Sequence, residues 1–276
     1  MIHEFQTYLT SIKGCSVNTA ESYGKDLRSF VAFMKETHKD ARWSTITRDD
    51  LDEYIIYQGN RGLKATTTNR HLSAISSLYD YMKRQGYDVE NPTRYESRRK
   101  EAENVINTIP LEDLKEAIKQ STGTIRIMIE TLLYTGIRLQ EMLDMRKQDL
   151  NTTDNTILIH GKGNKQRTVH TSADNMAHLA EYCKQSAAHT PIFNLWTQRE
   201  VRRGIYEALR PVSKARQLSP HAIRHTYATL MAQAGTNATT LMKMMGHKSL
   251  KTTQKYIDLG QQRTTEAYIN YQNTIS

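Results

Sequence analysis

"LSPHAIRHTYATLMAQAG", residues Leu218 to Gly235, places His221, Arg224 and His225 within one short stretch. Two imidazoles and a guanidinium so close together suit three roles: holding a metal, gripping a phosphate, or decorating a helix. A metal site needs three or four ligands, and His221 with His225 supplies two at helical i, i+4 spacing. Position 222 is alanine, not the glutamate of the HExxH zinc pattern, and no cysteine lies nearby. Arg224 would also repel a cation. The metal reading is therefore set aside, which leaves the phosphate grip and a structural pair of histidines for the rest of the chain to decide.

The chain has 276 residues, enough for one large domain or two modest ones. Hydrophobic residues make up 38% and charged residues 24%, a balance that builds a core and excludes wholesale disorder. Lys and Arg number 38 against 29 Asp and Glu, a formal charge of +9. That excess points to a polyanionic partner, nucleic acid first, because phosphate contacts draw on Lys and Arg. A basic protein without such a partner is the plain alternative. Cys15 and Cys183 are too few to staple a domain, as in a reducing cytoplasm. "MIHEFQTYLT" lacks the basic start and apolar run of a signal peptide. No stretch approaches the roughly 20 apolar residues that span a bilayer. A soluble cytoplasmic protein without membrane contact is expected.

Residues 1–90 read as a four-helix bundle. Asn18 with Glu21 has the spacing of a helix start and its capping partner. Tyr23, Leu27, Phe30, Val31 and Met34 then mark one apolar face at three- and four-residue steps. "TRDDLDEYII" starts a helix at Thr47 with acids in its first turn, where the helix dipole favours them. A fourth helix lines up Leu72, Ile75, Tyr79 and Met82 and stops near Gly86. Residues 91–108 break this pattern with Pro92 and with Arg94, Arg98, Arg99 and Lys100, and read as a basic linker. An ordinary solvated loop is its alternative.

From Ile109 the helices resume, with one interruption. "NTILIHGKGNKQRTVH" holds two β-prone runs around a Gly/Asn/Lys turn and reads as a hairpin. Its tip, "GKGNKQR", is glycine-rich and basic but lacks the spacing and the Lys-Ser/Thr ending of a P-loop. A flexible basic tip is suited to reach phosphates.

The opening stretch is not isolated. Upstream, "LLYTGIRLQEML" sets Arg138 just after a Thr-Gly turn, with Glu141 three residues on. Downstream, "LMKMMGHKSLKTTQKYIDLG" carries His247 and then Tyr256. With these motifs in this order, over most of residues 109–260, the chain resembles the tyrosine recombinase (phage integrase) family, and within it the short Xer-like members. The resemblance implies a mainly α fold: an N-terminal four-helix core-binding domain over 1–90, the linker, and an α-rich catalytic domain over 109–276 with a small antiparallel sheet. It also implies that the two domains close on duplex DNA as a clamp.

Chemistry gives reason for such residues to occur together. Breaking a phosphodiester without a metal requires other cations against the charge that develops on the phosphoryl oxygens. Arg138 and Arg224 suit this, because a guanidinium fork matches phosphate and keeps its charge. A tyrosine hydroxyl, with a pKa near 10, needs activation, which His221 can provide as acceptor or donor. By resemblance Tyr256 is the nucleophile, Lys162 protonates the leaving 5′-oxygen, His247 binds a non-bridging oxygen and Glu141 holds the array. Lys162 and Lys165 share the hairpin, where either could instead be a solvated turn lysine. His225, next to Arg224 on the helix, is read as a packing residue. Most of the 15 tyrosines must be packing residues too.

The function so implied is site-specific recombination of duplex DNA through a 3′-phosphotyrosine, with no cofactor. Partners would be a specific recombination site, further copies of the chain (a dimer on a site, a tetramer in the synapse), and an accessory or partner recombinase. A catalytically silent DNA-binding or architectural protein, and a type IB topoisomerase, are the alternatives. The bundle starts almost at residue 1, so no separate arm-binding domain is expected. In the tail, Ala267, Tyr268, Tyr271 and Ile275 space as a short amphipathic helix.

Overall fold

The computed structural model describes residues 1–37, 42–95, 98–99, 106–161, 165–247 and 249–260. The chain forms two compact units, Met1–Asn104 and Val105–Ser276.

The first unit contains helices α1 (Ile2–Ser11), α2 (Val17–Thr37), α3 (Arg48–Asn60) and α4 (Ala65–Arg84). Helix α2 starts one residue before Asn18, because Ser16 takes the capping role: its Oγ accepts from the Thr19 amide at 3.3 Å. Helix α3 starts after Thr47 as expected, and Thr47 and Asp50 cap each other reciprocally. The apolar faces meet in a core of Phe5, Leu27, Phe30, Leu51, Tyr54, Leu72, Ile75 and Tyr79. Val31 and Tyr23 lie at its edge, while Phe33 is buried. One charge enters this core. Asp26, 3% exposed, receives both arms of the Arg70 guanidinium at 2.8 Å and lies 3.1 Å from His71, so the buried carboxylate is paired.

The second unit contains α5 (Leu111–Gln120), α6 (Gly123–Thr135), α7 (Leu139–Asp144), then β1 (Leu150–Asn151), β2 (Thr156–His160) and β3 (Gln166–His170). Helices α8 (Ala173–Tyr182), α9 (Gln198–Leu209), α10 (Pro220–Gln233) and α11 (Ala238–Met245) follow, and α12 covers 250–260. The hairpin expected from "NTILIHGKGNKQRTVH" forms as antiparallel β2 and β3, with β1 on the outer edge of β2. Alternation puts Ile157, Ile159 and Val169 on the buried face. Ile159 pairs with Arg167, so Arg167 faces inward as well.

Helix α10 runs through the middle of this unit. Pro220 occupies its first turn, Ser219 caps it, and residues from Ala222 to Thr229 are buried without a break. Thr226 ties it to the start of the unit, accepting from the Ile109 amide at 2.8 Å and donating to the Ile109 carbonyl at 2.9 Å. Among the described residues, no helix is long and apolar enough to cross a membrane.

Candidate active site

The site is built on the end of a helix. Gly246 closes α11 in the left-handed conformation, φ 62° and ψ 41°. The Gly246 amide then donates to the Lys243 carbonyl and the His247 amide to Met242. The next three carbonyls would have no helical donor. Each is met by a different arginine. Arg167 Nε donates to Met244 at 2.9 Å, Arg224 to Met245 at 2.6 Å, and Arg138 to Gly246 at 2.8 Å. The negative end of the α11 dipole thus gathers three guanidinium groups. A methyl group on Gly246 would come within 2.9 Å of Arg167 and 3.3 Å of Arg138.

A single carboxylate braces the cluster. Glu141, three residues into the turn that Arg138 caps, accepts from the Arg138 amide and guanidinium, both at 2.8 Å. It also takes a fork from Arg167 at 3.0 and 2.7 Å. Burial alone would raise its pKa, but the hydrogen bonds from Arg167 and the Arg138 amide, with the two positive charges, hold it at about 2. Arg224 donates from its other arm to Gly136 at 2.5 Å, the left-handed residue that ends α6, and is 3% exposed. Tyr227 packs against Gly136 so closely that no side chain fits there. Among the described residues, three guanidinium groups meet one carboxylate, an excess of positive charge suited to phosphate.

Tyr256, on α12, is 2% exposed. Its hydroxyl lies 2.5 Å from His225 Nδ1. His221, one turn earlier on α10, packs edge-on against His225 with ring centroids 4.1 Å apart. His247 lies nearly parallel to the Tyr256 ring at 6.2 Å, and its Nδ1 is hydrogen-bonded to Thr253 at 2.9 Å. Lys255 Nζ sits 5.2 Å from the Tyr256 ring centroid. Burial raises the pKa of Tyr256, against a smaller opposing pull from Arg224. Burial, then the surrounding cations, lower His225 to about 3 and His247 to about 4, and lower His221 as well. At neutral pH these are neutral imidazoles around a protonated tyrosine.

The structure therefore brings Arg138, Glu141, His221, Arg224, His247 and Tyr256 into one place. Two further residues belong with them. Arg167 was not singled out in the sequence, although the hairpin's alternation puts this charge where an apolar residue is expected. His225, read as packing, reaches the Tyr256 hydroxyl. It does so because α10 is buried on every face from Ala222 to Thr229. Lys162, Lys100 and the tail over 261–276 lie outside the described residues. Lys165 is exposed. Of the linker arginines, Arg94 and Arg98 are exposed. Arg99 is half-buried: its backbone pairs with Asn69 at 3.0 Å in both directions, and its guanidinium donates to the Leu63 carbonyl at 3.3 Å. Among the described residues no group of three or more His, Cys, Asp or Glu is placed to hold a metal ion.

Residues 101–263 match the model of the phage integrase family, and residues 2–86 match the phage integrase N-terminal SAM-like domain. The chain belongs to the phage integrase family. Relatives of this phage integrase chain include the tyrosine recombinase XerD of Oceanobacillus iheyensis, 26% identical over 98% of this chain and 97% of the relative. The tyrosine recombinase XerC of Staphylococcus aureus is 29% identical over 98% and 96%. The XerH site-specific recombinase, bound to palindromic difH substrate in a post-cleavage complex, shares the fold with a TM-score of 0.74 at 20% identity, covering 99% of this chain and 85% of that one. A lambda integrase dimer bound to a COC′ core site gives 0.69 at 16%, with 93% and 75% covered.

Proposed function

We propose that this protein is a site-specific DNA recombinase that cuts and rejoins duplex DNA through a phosphotyrosine at Tyr256. The observation that carries the reading is the pairing of a buried tyrosine with three arginines held on consecutive carbonyls of one helix end. A phosphodiester carries one negative charge and gains more on its equatorial oxygens as the tyrosine attacks. Arg138 and Arg224 bind those oxygens, with His247 as a further donor. The 3′-phosphate passes to Tyr256 and a 5′-hydroxyl leaves, protonated by Lys162 of the hairpin. A 5′-hydroxyl from a second strand then attacks the phosphotyrosine, so the bond energy is kept and neither ATP nor a metal is needed. Arg94, Arg98, Lys100 and Lys165 contact the DNA phosphates, and Arg99 anchors its stretch through Asn69 and Leu63.

Exchange between two duplexes cuts four strands and so requires four tyrosines. The lambda integrase relative is a dimer on its core site; this chain acts as a dimer on each site and a tetramer in the synapse, in the cytoplasm. The XerD and XerC relatives support recombination as its task.

The test starts by selecting the bound site from a pool of random duplexes. A nicked duplex carrying that site should trap a protein–DNA adduct on a denaturing gel, with chelator present. Tyr256→Phe should bind the site within about threefold of wild type and form no adduct. An adduct in that variant removes Tyr256 as nucleophile, and one that forms only with added magnesium removes the metal-free mechanism.

A further inference from the structure

Of the two imidazoles on α10, the one that meets the tyrosine hydroxyl is not the one the motif singles out. Tyr256 Oη lies 2.5 Å from His225 Nδ1, and both residues are buried. His221 presents its ring to His225, with centroids 4.1 Å apart and planes 65° apart. His247 flanks the phenol ring from the other side but commits its Nδ1 to Thr253. We propose that His225 is the acceptor that orients the Tyr256 hydroxyl and takes its proton as the tyrosine attacks phosphorus. The proposal rests on the recombinase reading and assigns a step within it.

The surroundings of His225 determine when that transfer can occur. Facing it are His221 and Arg224 from α10, Lys255 and Tyr256 from α12, and His247 from the connection between α11 and α12. Burial and these groups hold the imidazole neutral, with a pKa of about 3, so Nδ1 carries a lone pair and the hydroxyl donates to it. Without an added negative charge an imidazolium beside Arg224 and Lys255 is disfavoured, and the tyrosine keeps its proton. A DNA phosphate on the arginine cluster supplies that charge. The Oη–H bond then breaks, the proton forms Nδ1–H, and the oxygen's electron pair forms the bond to phosphorus. The bond from phosphorus to the 5′-oxygen breaks, and that oxygen takes a proton from the hairpin lysine. In rejoining, the incoming 5′-hydroxyl gives its proton back to the hairpin lysine as its oxygen bonds to phosphorus, and the bond from phosphorus to Tyr256 Oη breaks, that oxygen recovering its proton from His225. The nucleophile is thereby armed by the substrate it attacks.

The experiment measures single-turnover adduct formation by the full chain on the nicked duplex of selected sequence, from about pH 6 to pH 9. With wild type the rate should be flat across this range, because His225 is neutral throughout. His225→Ala should lose on the order of 100-fold at pH 7, the usual worth of a positioned base. Its rate should then climb about tenfold per pH unit, because the tyrosine must ionise unaided. His225→Asn places an amide oxygen near the position of Nδ1; it should recover part of the rate through orientation and keep the slope. Single-site gel shifts should stay within about threefold for both. A merely structural role would lower the rate without imposing the slope. A flat profile in either variant, or a His225→Ala rate equal to or above wild type, overturns the proposal. If His225→Ala does not fold, the slope of His225→Asn decides. If wild type forms no adduct, or Tyr256→Phe forms one, the recombinase reading falls and takes the proposal with it. A loss that carries this slope in His221→Ala and is absent from His225→Ala would move the role to His221.

Discussion

Replacing Glu141 with glutamine tests whether one carboxylate holds the arginine cluster together. The amide keeps the shape of the side chain but turns one acceptor oxygen into a donor. Whichever oxygen is replaced, it faces donors: the Arg138 amide and Arg167 at one position, the two guanidinium groups at the other. The drop of the Glu141 pKa from 4.5 to about 2 corresponds to about 3 kcal/mol favouring the ionised form in the folded state. Glu141 is 7% exposed and Arg167 14%, so little of that share is screened. Arg138 is 44% exposed, and its share is reduced by solvent. For a unit of this size, about 3 kcal/mol corresponds to a loss of roughly 6–12 °C in Tm at pH 7. The sign follows from linkage. A depressed carboxylate pKa adds stability above the unfolded-state value and loses it as pH falls through the folded one. The gap between wild type and Glu141→Gln should therefore be full above about pH 5.5 and more than half closed by pH 3. Thermal melts of the full chain followed by circular dichroism, from pH 7 down to pH 3, measure it. A gap below about 1 kcal/mol at neutral pH, or one that does not narrow on acidification, refutes the reasoning.

Gly246→Ala forces a side chain at φ 62° against two guanidinium groups; strain of about 1–2 kcal/mol is expected, with slower adduct formation. An unchanged Tm together with an unchanged rate would show that the helix end does not hold the arginines. Lys162→Ala should slow cleavage, and a substrate with sulfur at the 5′-bridging position, which departs without a proton, should largely restore it. Rescue of Lys165→Ala in place of Lys162→Ala would reassign the acid to the other hairpin lysine.

What the sequence made legible was local. A helix does start at Thr47, which Asp50 caps reciprocally, and Glu141 does hold Arg138, accepting from both its amide and its guanidinium. The hairpin follows from alternation around a glycine-rich turn, and the bundle faces follow from helical period. Asn18 as a cap failed for an equally local reason: Ser16 precedes it and reaches the Thr19 amide. Linker arginines read as one cluster because composition carries no information on partners. Yet Asn69, thirty positions away, fixes Arg99 through its backbone.

The arginine triad could not be read in this way, since Arg138, Arg167 and Arg224 meet at the end of a helix that begins at Ala238. Periodicity predicts which face of a helix is buried, and says nothing of what docks on its last carbonyls. The same limit hid the contact between His225 and Tyr256. A helical wheel assigns Arg224 and its neighbour to different faces and so allows only one of them to the site. That inference holds for a helix lying on a surface. Helix α10 is enclosed, with the Gly136 turn and the end of α11 reached by Arg224, and α12 reached by His225. Adjacent residues thus reach different partners, Arg224 the carbonyls of Gly136 and Met245 and His225 the hydroxyl of Tyr256. In His-x-x-Arg-His, the Arg-His pair therefore lies on a stretch of helix whose successive faces are all in contact with other elements. A charge at an inward position of a strand, as at Arg167, is the corresponding sign in a sheet.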